Sequence, residues 1–235
     1  MTDAKESLSP GGYSGVEYWD AYHEEALTRD IDRAVKLKLW LESLLPLLEG
    51  VEDRRVLDLG CGSGHDAVAL SRQGFQVSGC DISGVAIEEA RALARRQGQA
   101  IELLRHDIAT PLPYADATFS AVICNLTLHM FTPETGQGVT AEVKRCLEPG
   151  GLFAFHVNST EDLPYRRKLQ PPVRRLENGM YCLGRGQTMR FFSEADCRDL
   201  LQGWELVLLQ PAQMLRADGG VQKRAWRCAA RQPLA

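Results

Sequence analysis

The chain has 235 residues, 44% of them apolar and 25% charged, with a formal net charge of −4. That length and mixture suit one sizeable globular domain and exclude a disordered, collagen-like or disulfide-scaffold chain. The weak negative charge argues against a nucleic-acid binder, which needs clustered Lys and Arg, and no apolar run reaches the length of a membrane-spanning helix.

The start, Met1-Thr2-Asp3-Ala4-Lys5-Glu6, is polar and lacks the apolar core of a signal peptide. Seven cysteines is an odd number, without C-x-x-C pairs or zinc-ligand spacing. These features predict reduced thiols, no metal and a cytoplasmic protein. Monomer and homodimer both stay open.

Residues 1–30 are expected to form an N-terminal arm or cap, and 31–235 one catalytic-size domain with a basic insertion at 159–190. Within the arm, Tyr18, Trp19 and Tyr22 are spaced to share a helical face. Apolar residues recur at helical spacing from Ile31 to Leu48, which predicts one helix ended by Gly50. A strand–helix alternation follows. Strands are expected at Arg55–Leu59, Phe75–Cys80, Ile101–Arg105, Phe119–Leu126 and Leu152–Val157. Helices are expected at His65–Gln73, from Gly84 to about Gln97 after the N-cap Ser83, and from Pro133 to Leu147. Beyond Asn158 the rhythm breaks, and 159–190 shows no clear period. Ser193 caps a short helix to about Gln202. Trp204–Leu209 and Arg224–Ala230 read as two antiparallel strands that complete the sheet. The alternation predicts an α/β Rossmann-like three-layer sandwich with a mostly parallel sheet and an antiparallel last strand.

The most informative segment is Val56-Leu57-Asp58-Leu59-Gly60-Cys61-Gly62-Ser63-Gly64. A strand runs into three glycines and then into a helix. Glycines there permit positive φ and let a ligand approach the backbone. The second strand ends in Asp81, about 20 residues beyond the turn, where such folds bind ribose hydroxyls. The third leads to His106-Asp107, an acid suited to accept from an adenine amino group. Taken alone, such an acid can instead cap the following helix; the three features together point to a nucleoside-like ligand. The turn lacks the G-x-G-x-x-G spacing of dinucleotide folds, and no Gly-Lys-Ser/Thr phosphate loop occurs. A ligand with a cationic sulfonium and no pyrophosphate fits better, with Asp58 orienting water or an ammonium group.

On these residues the chain resembles the class I S-adenosylmethionine-dependent methyltransferases. Val56–Gly64 is similar to their first motif, and Asp81 and Asp107 to their ribose-side and adenine-side acids. Leu147-Glu148-Pro149-Gly150-Gly151 is similar to the turn before their fifth strand. The resemblance covers roughly residues 30–158. It implies a seven-stranded sheet and S-adenosylmethionine bound by Asp58, Gly60, Cys61, Gly62, Asp81, Ile82, Asp107, Ile108 and Asn125, with S-adenosylhomocysteine as product. The carboxyl-terminal third resembles the tellurite-resistance type of small-molecule methyltransferase in Arg190-Phe191-Phe192, Gly203-Trp204-Glu205 and Arg216-Ala217-Asp218-Gly219-Gly220. It departs from that type at Leu215, where the family has a histidine.

An acceptor pocket is expected above the strand ends. His129 is the candidate acid or base, and Tyr18, Trp19, Tyr22, Arg190 and Arg216 are the candidate acceptor contacts. His156, inside a strand, reads as a buried core histidine. The insertion carries seven bases against three acids, a balance that attracts an anionic acceptor. The function expected is methyl transfer to a small molecule. The alternatives are a protein or RNA acceptor, or a module that binds the donor without turnover.

Overall fold

The structure, a computed structural model, describes residues 14–27, 39–51, 53–169, 173–176, 179–183, 187–215 and 220–234. The elements in chain order are α1 (Val16–Leu27), α2 (Leu39–Glu42), α3 (Leu45–Glu49), β1 (Arg55–Leu59), α4 (His65–Ser71), β2 (Gln76–Asp81), α5 (Gly84–Arg96), β3 (Glu102–Arg105) and β4 (Phe119–Asn125). There follow α6 (Pro133–Cys146), β5 (Leu147–Asn158), α7 (Leu163–Leu169), β6 (Arg174–Arg175), β7 (Tyr181–Cys182), β8 (Thr188–Met189), α8 (Glu194–Leu200), β9 (Glu205–Leu215) and β10 (Val221–Arg231). Short 3-10 turns lie at Leu128–Met130 and Thr160–Asp162.

Seven strands form one sheet in the order β3-β2-β1-β4-β5-β10-β9. Neighbours from β3 to β5 pair in parallel, while β10 runs antiparallel to both β5 and β9. The fold is the expected α/β sandwich with a reversed last strand. That strand lies inside the sheet, and β9 forms the edge.

Alternation along the strands sorts the core into two faces. Leu57, Leu59, Val122, Cys124, Phe153 and Phe155 pack with Val139 and Val143 of α6 and with Cys197 and Leu200 of α8. Val56, Ala121, Ile123, Leu152 and Ala154 face the other way, against Trp40, Leu41, Leu44 and Leu48 and against Ala67 and Leu70 of α4. Phe153 and Phe155 are fully buried, each stabilising the fold by about 1.5–3 kcal/mol.

Two expectations need correction. The single helix read from Ile31 to Leu48 is broken: α2 ends at Glu42 and α3 starts at Leu45. Pro46 sits in the first turn of α3; it has no N–H to continue a helix through this point. Residues 31–38 lie outside the described residues. The segment 159–190, which showed no period, contains α7 and a small antiparallel sheet in the order β6-β7-β8. Its strands are two residues long, too short to leave a pattern in the sequence. Leu183, Met189 and Phe191 pack there against Met130, just beyond β4.

Candidate functional site

The glycine turn is tied to the end of β2. The N–H groups of Gly60 and Cys61 both donate to the Cys80 carbonyl, at 2.8 and 2.9 Å. Gly60 has φ +73, and a β-carbon there would stand 2.5 Å from Thr127 Oγ1 and 2.8 Å from Thr127 Cβ. Gly64 has φ +77, and its β-carbon would stand 2.7 Å from Ala90 Cβ on α5. Both positions require glycine by conformation and by contact. Asp81 then closes the turn: its carboxylate accepts from Gly62 N–H at 2.9 Å and from Ser83 N–H at 3.0 Å. Burial pushes the Asp81 carboxyl up, while the N–H groups of Ser83 and Gly62 and the nearby His23 pull it back.

These residues border one cleft that opens to solvent. Gly60, Gly62, Asp81, Ile82, Asp107, Ile108 and Asn125 line it, all positioned by the carboxyl ends of β1 to β4. Asp107 holds its own loop, accepting from Ala109 N–H at 3.0 Å. The segment after β4 adds Leu126, Thr127, Met130 and Phe131. Leu126 adopts φ +57, a left-handed conformation that costs a non-glycine residue of order 1–3 kcal/mol and concentrates at functional sites.

Helix α1 supplies the remaining wall with Trp19 and His23. It docks through Asp20, whose Oδ1 accepts from Ser83 Oγ at 2.6 Å and from Val85 N–H at 3.3 Å. His23 approaches Glu89 of α5 at 3.4 Å. Trp19 is braced edge-on between Tyr18 and Tyr22, with ring centroids 5.1 and 5.5 Å away.

Asn125 is held from behind. Its Nδ2 donates to Asp66 Oδ2 at 2.8 Å, and the same oxygen accepts from Trp40 Nε1 at 3.1 Å. Trp40 stacks on His156, with centroids 6.0 Å apart and planes inclined by 16°. His156 is buried, as expected of a core histidine, but its Nε2 has no hydrogen-bond partner among the described residues.

Other candidates stand away from the cleft. Asp58 is buried within β1, and Cys61 points into the packing of Ile87, Ala90 and Leu103; neither borders the cleft, although the neighbours of Cys61 do. Burial pushes the Cys61 thiol well up, which keeps it protonated. Tyr22 is half exposed. Arg190 is engaged elsewhere, paired with Asp196 at 2.5 Å and stacked over Phe192 at 4.3 Å. Arg216 lies outside the described residues. His129 is fully buried, and burial together with Lys223, His156 and Arg166 depresses its pKa far below the usual range. Its side chain does not border the cleft.

The sequence reading did not single out Ser14, Asp20, His23 or Asp66, nor Leu126, Thr127, Met130 and Phe131 of the segment after β4. For His23 a signal existed: it stands four residues after Trp19 and so shares its helical face. Asp66 and Asp20 gave none, because their partners are distant in sequence. Among the described residues, no group of three His, Cys, Asp or Glu is placed to hold a metal, and no helix is long and apolar enough to cross a membrane.

Residues 56–151 match the model of a methyltransferase-domain family. The malonyl-[acyl-carrier protein] O-methyltransferase of Geobacter sulfurreducens is 30% identical over 185 residues, covering 77% of this chain and 67% of that protein. The ubiquinone biosynthesis O-methyltransferase of Alkalilimnicola ehrlichii is 30% identical over 138 residues, 59% of this chain and 53% of that protein. In such alignments the chain spans about half the length of several curated relatives it matches. In fold, the chain is similar to the Burkholderia thailandensis 1,6-didemethyltoxoflavin-N1-methyltransferase, solved with 1,6-didemethyltoxoflavin and S-adenosylhomocysteine. The TM-score is 0.66 at 21% identity, covering 99% of this chain and 98% of that one. A relative matched over two thirds of its length, and a glycine turn facing two acids across one cleft, lead to the same result: the chain belongs to the class I S-adenosylmethionine-dependent methyltransferases.

Proposed function

We propose that the protein transfers a methyl group from S-adenosylmethionine to a small-molecule acceptor. One observation carries the donor half: Asp81 and Asp107, from the ends of successive strands, border the same cleft as Gly60 and Gly62. Gly62 adopts φ +51, a left-handed conformation that favours glycine, so bare backbone faces the cleft there. Asp81 would hold the ribose hydroxyls, Asp107 the adenine amino group, and Ile82 and Ile108 the faces of the base. Asp58, Cys61 and Asn125 complete the donor set proposed here, Asp58 and Cys61 by shaping the turn from behind.

The bound donor supplies an already activated methyl group on a sulfonium. The protein's work is then to orient the acceptor and exclude water. Trp19 and His23 of α1 and Met130 and Phe131 after β4 enclose the cleft from two sides, which suits a small acceptor. The assignment of residues 1–30 as a cap and 31–235 as the methyltransferase domain belongs to this reading, with α1 docked on α5. So does a cytoplasmic location, since all seven cysteines are free.

Calorimetric titration with S-adenosylhomocysteine tests the proposal. One-to-one binding lost in Asp81→Ala is the expected result; folded protein that fails to bind overturns it.

A further inference from the structure

One strand further along the rim from the donor cleft lies a second polar cluster. His129 follows β4, Asn158 ends β5, and Lys223 lies near the start of β10, whose Ala225 is paired with Asn158. His129 and Asn158 are 0% exposed. Among the described residues, neither ring nitrogen of His129 has a hydrogen-bond partner, and neither does Asn158 Oδ1. Burying such groups without a partner is unfavourable, and native proteins keep few of them.

The charge balance is equally uneven. Arg166 and Lys223 both act on His129, and the carboxylate beside them is Asp162, itself fully buried. Asp162 is already spent: its Oδ2 pairs with Arg166 at 2.8 Å and its Oδ1 accepts from Arg224 N–H at 2.8 Å. Among the described residues, no carboxylate closes an ion pair with Lys223. A partly buried ammonium without a counter-charge is unfavourable unless an anion joins it.

Two methionines link this cluster to the donor cleft. Met130 lines the cleft and packs on Met189, whose sulfur accepts from Asn158 Nδ2 at 3.1 Å. Methionine side chains are unbranched and repack readily, so the pair can part for a ligand reaching from one side to the other.

Building on the methyltransferase reading, we infer that His129, Asn158 and Lys223 form the subsite that anchors a carboxylate of the acceptor, leaving its nucleophilic end in the donor cleft past Met130. Lys223 supplies the counter-charge, and His129 and Asn158 supply neutral hydrogen bonds. One unopposed ammonium matches a monoanion; a phosphate dianion would bring a second charge that nothing here balances. Arg190, bound to Asp196, is replaced by Lys223 in this role.

The test uses full-length protein with 15N-labelled histidine, loaded with S-adenosylhomocysteine, and acetate as probe. Acetate should shift the His129 ring resonances saturably, and acetamide should not. Lys223→Met should weaken acetate by about tenfold or more while leaving S-adenosylhomocysteine affinity unchanged, and Lys223→Arg should restore most of it. If the protein binds S-adenosylhomocysteine but acetate leaves His129 unmoved, or acts equally on Lys223→Met, the subsite is wrong and the methyltransferase reading stands. Phosphate binding in preference to acetate overturns the carboxylate assignment. Failure to bind S-adenosylhomocysteine removes the underlying reading and this inference with it.

Discussion

Thr127 stands where a side chain on Gly60 would have to go. The two residues belong to the ends of adjacent parallel strands, and the Thr127 hydroxyl also reaches the Gly60 carbonyl at 3.4 Å. Gly60→Ala should therefore destabilise the fold by about 1–3 kcal/mol, from overlap with Thr127 and from the positive φ together. Adding Thr127→Gly should recover the steric part and leave the conformational part. Urea unfolding of the two single variants, the double variant and the parent measures the coupling. Additive effects would show that Thr127 is not what excludes a side chain at this position.

Asp81 has two tasks, holding the Gly62 amide and facing the cleft. Asp81→Asn keeps one acceptor oxygen but loses the charge, and Asp81→Ala loses both. Charge-assisted hydrogen bonds contribute about 1.5–3 kcal/mol. Calorimetry with S-adenosylhomocysteine should therefore give losses of roughly tenfold for Asn and a hundredfold for Ala. Equal and small losses would confine Asp81 to the turn.

Removal of Asp66 should be felt twice. Asp66→Ala leaves Trp40 Nε1 and Asn125 Nδ2 without their acceptor inside the core, a cost of roughly 2–4 kcal/mol. It also frees the amide that borders the cleft. Thermal unfolding and S-adenosylhomocysteine affinity should fall together; unchanged affinity in a destabilised protein would separate Asn125 from the site.

The two buried histidines predict an acid-sensitive fold. Burial depresses His129 strongly and pushes His156 down to about 4 from an ordinary 6.5. Between those two values the unfolded chain takes up protons that the folded chain refuses. Stability is thus complete above about pH 7 and falls as pH drops through the window, by about 1.4 kcal/mol per pH unit for each histidine fully within it. His156→Phe keeps a ring against Trp40 and should flatten the slope by about one proton. Urea midpoints at several pH values compare the two, and parallel curves would remove His156 from the explanation.

Helix α1 hangs on few contacts. Asp20→Ala removes the acceptor for Ser83 Oγ and Val85 N–H, and hydrogen exchange across 16–27 should accelerate by about tenfold while β1 to β5 stay protected. Unaltered exchange would mean that the aromatic face alone secures the helix.

The parts of this fold legible in the sequence are those dictated by neighbours along the chain. The alternating strands β1 to β5, the cap Ser83 with its bond to Ala86 N–H at 3.1 Å, and the glycine turn each follow from local spacing. Asp81 could be placed because it ends β2, and Asp107 because it follows the end of β3 by two residues. The burial of His129 was not legible, because it comes from segments far along the chain, as where its carbonyl accepts from Arg190 N–H at 2.6 Å. The docking of Asp20 on Ser83, and of Asp66 between Trp40 and Asn125, joins segments tens of residues apart. No periodicity encodes such contacts.

The place of β10 has a consequence for synthesis. It lies between β5 and β9, so β9, made first, has no strand to pair with until β10 emerges, and the far edge of β5 stays bare for as long. The nascent chain must then hold two exposed strand edges while it waits for an interior piece. Pairing over long separations is slow, and bare edges invite pairing with other chains. Aggregation during expression should therefore track conditions that slow translation between β9 and β10 or dilute chaperones, even where the folded protein is stable.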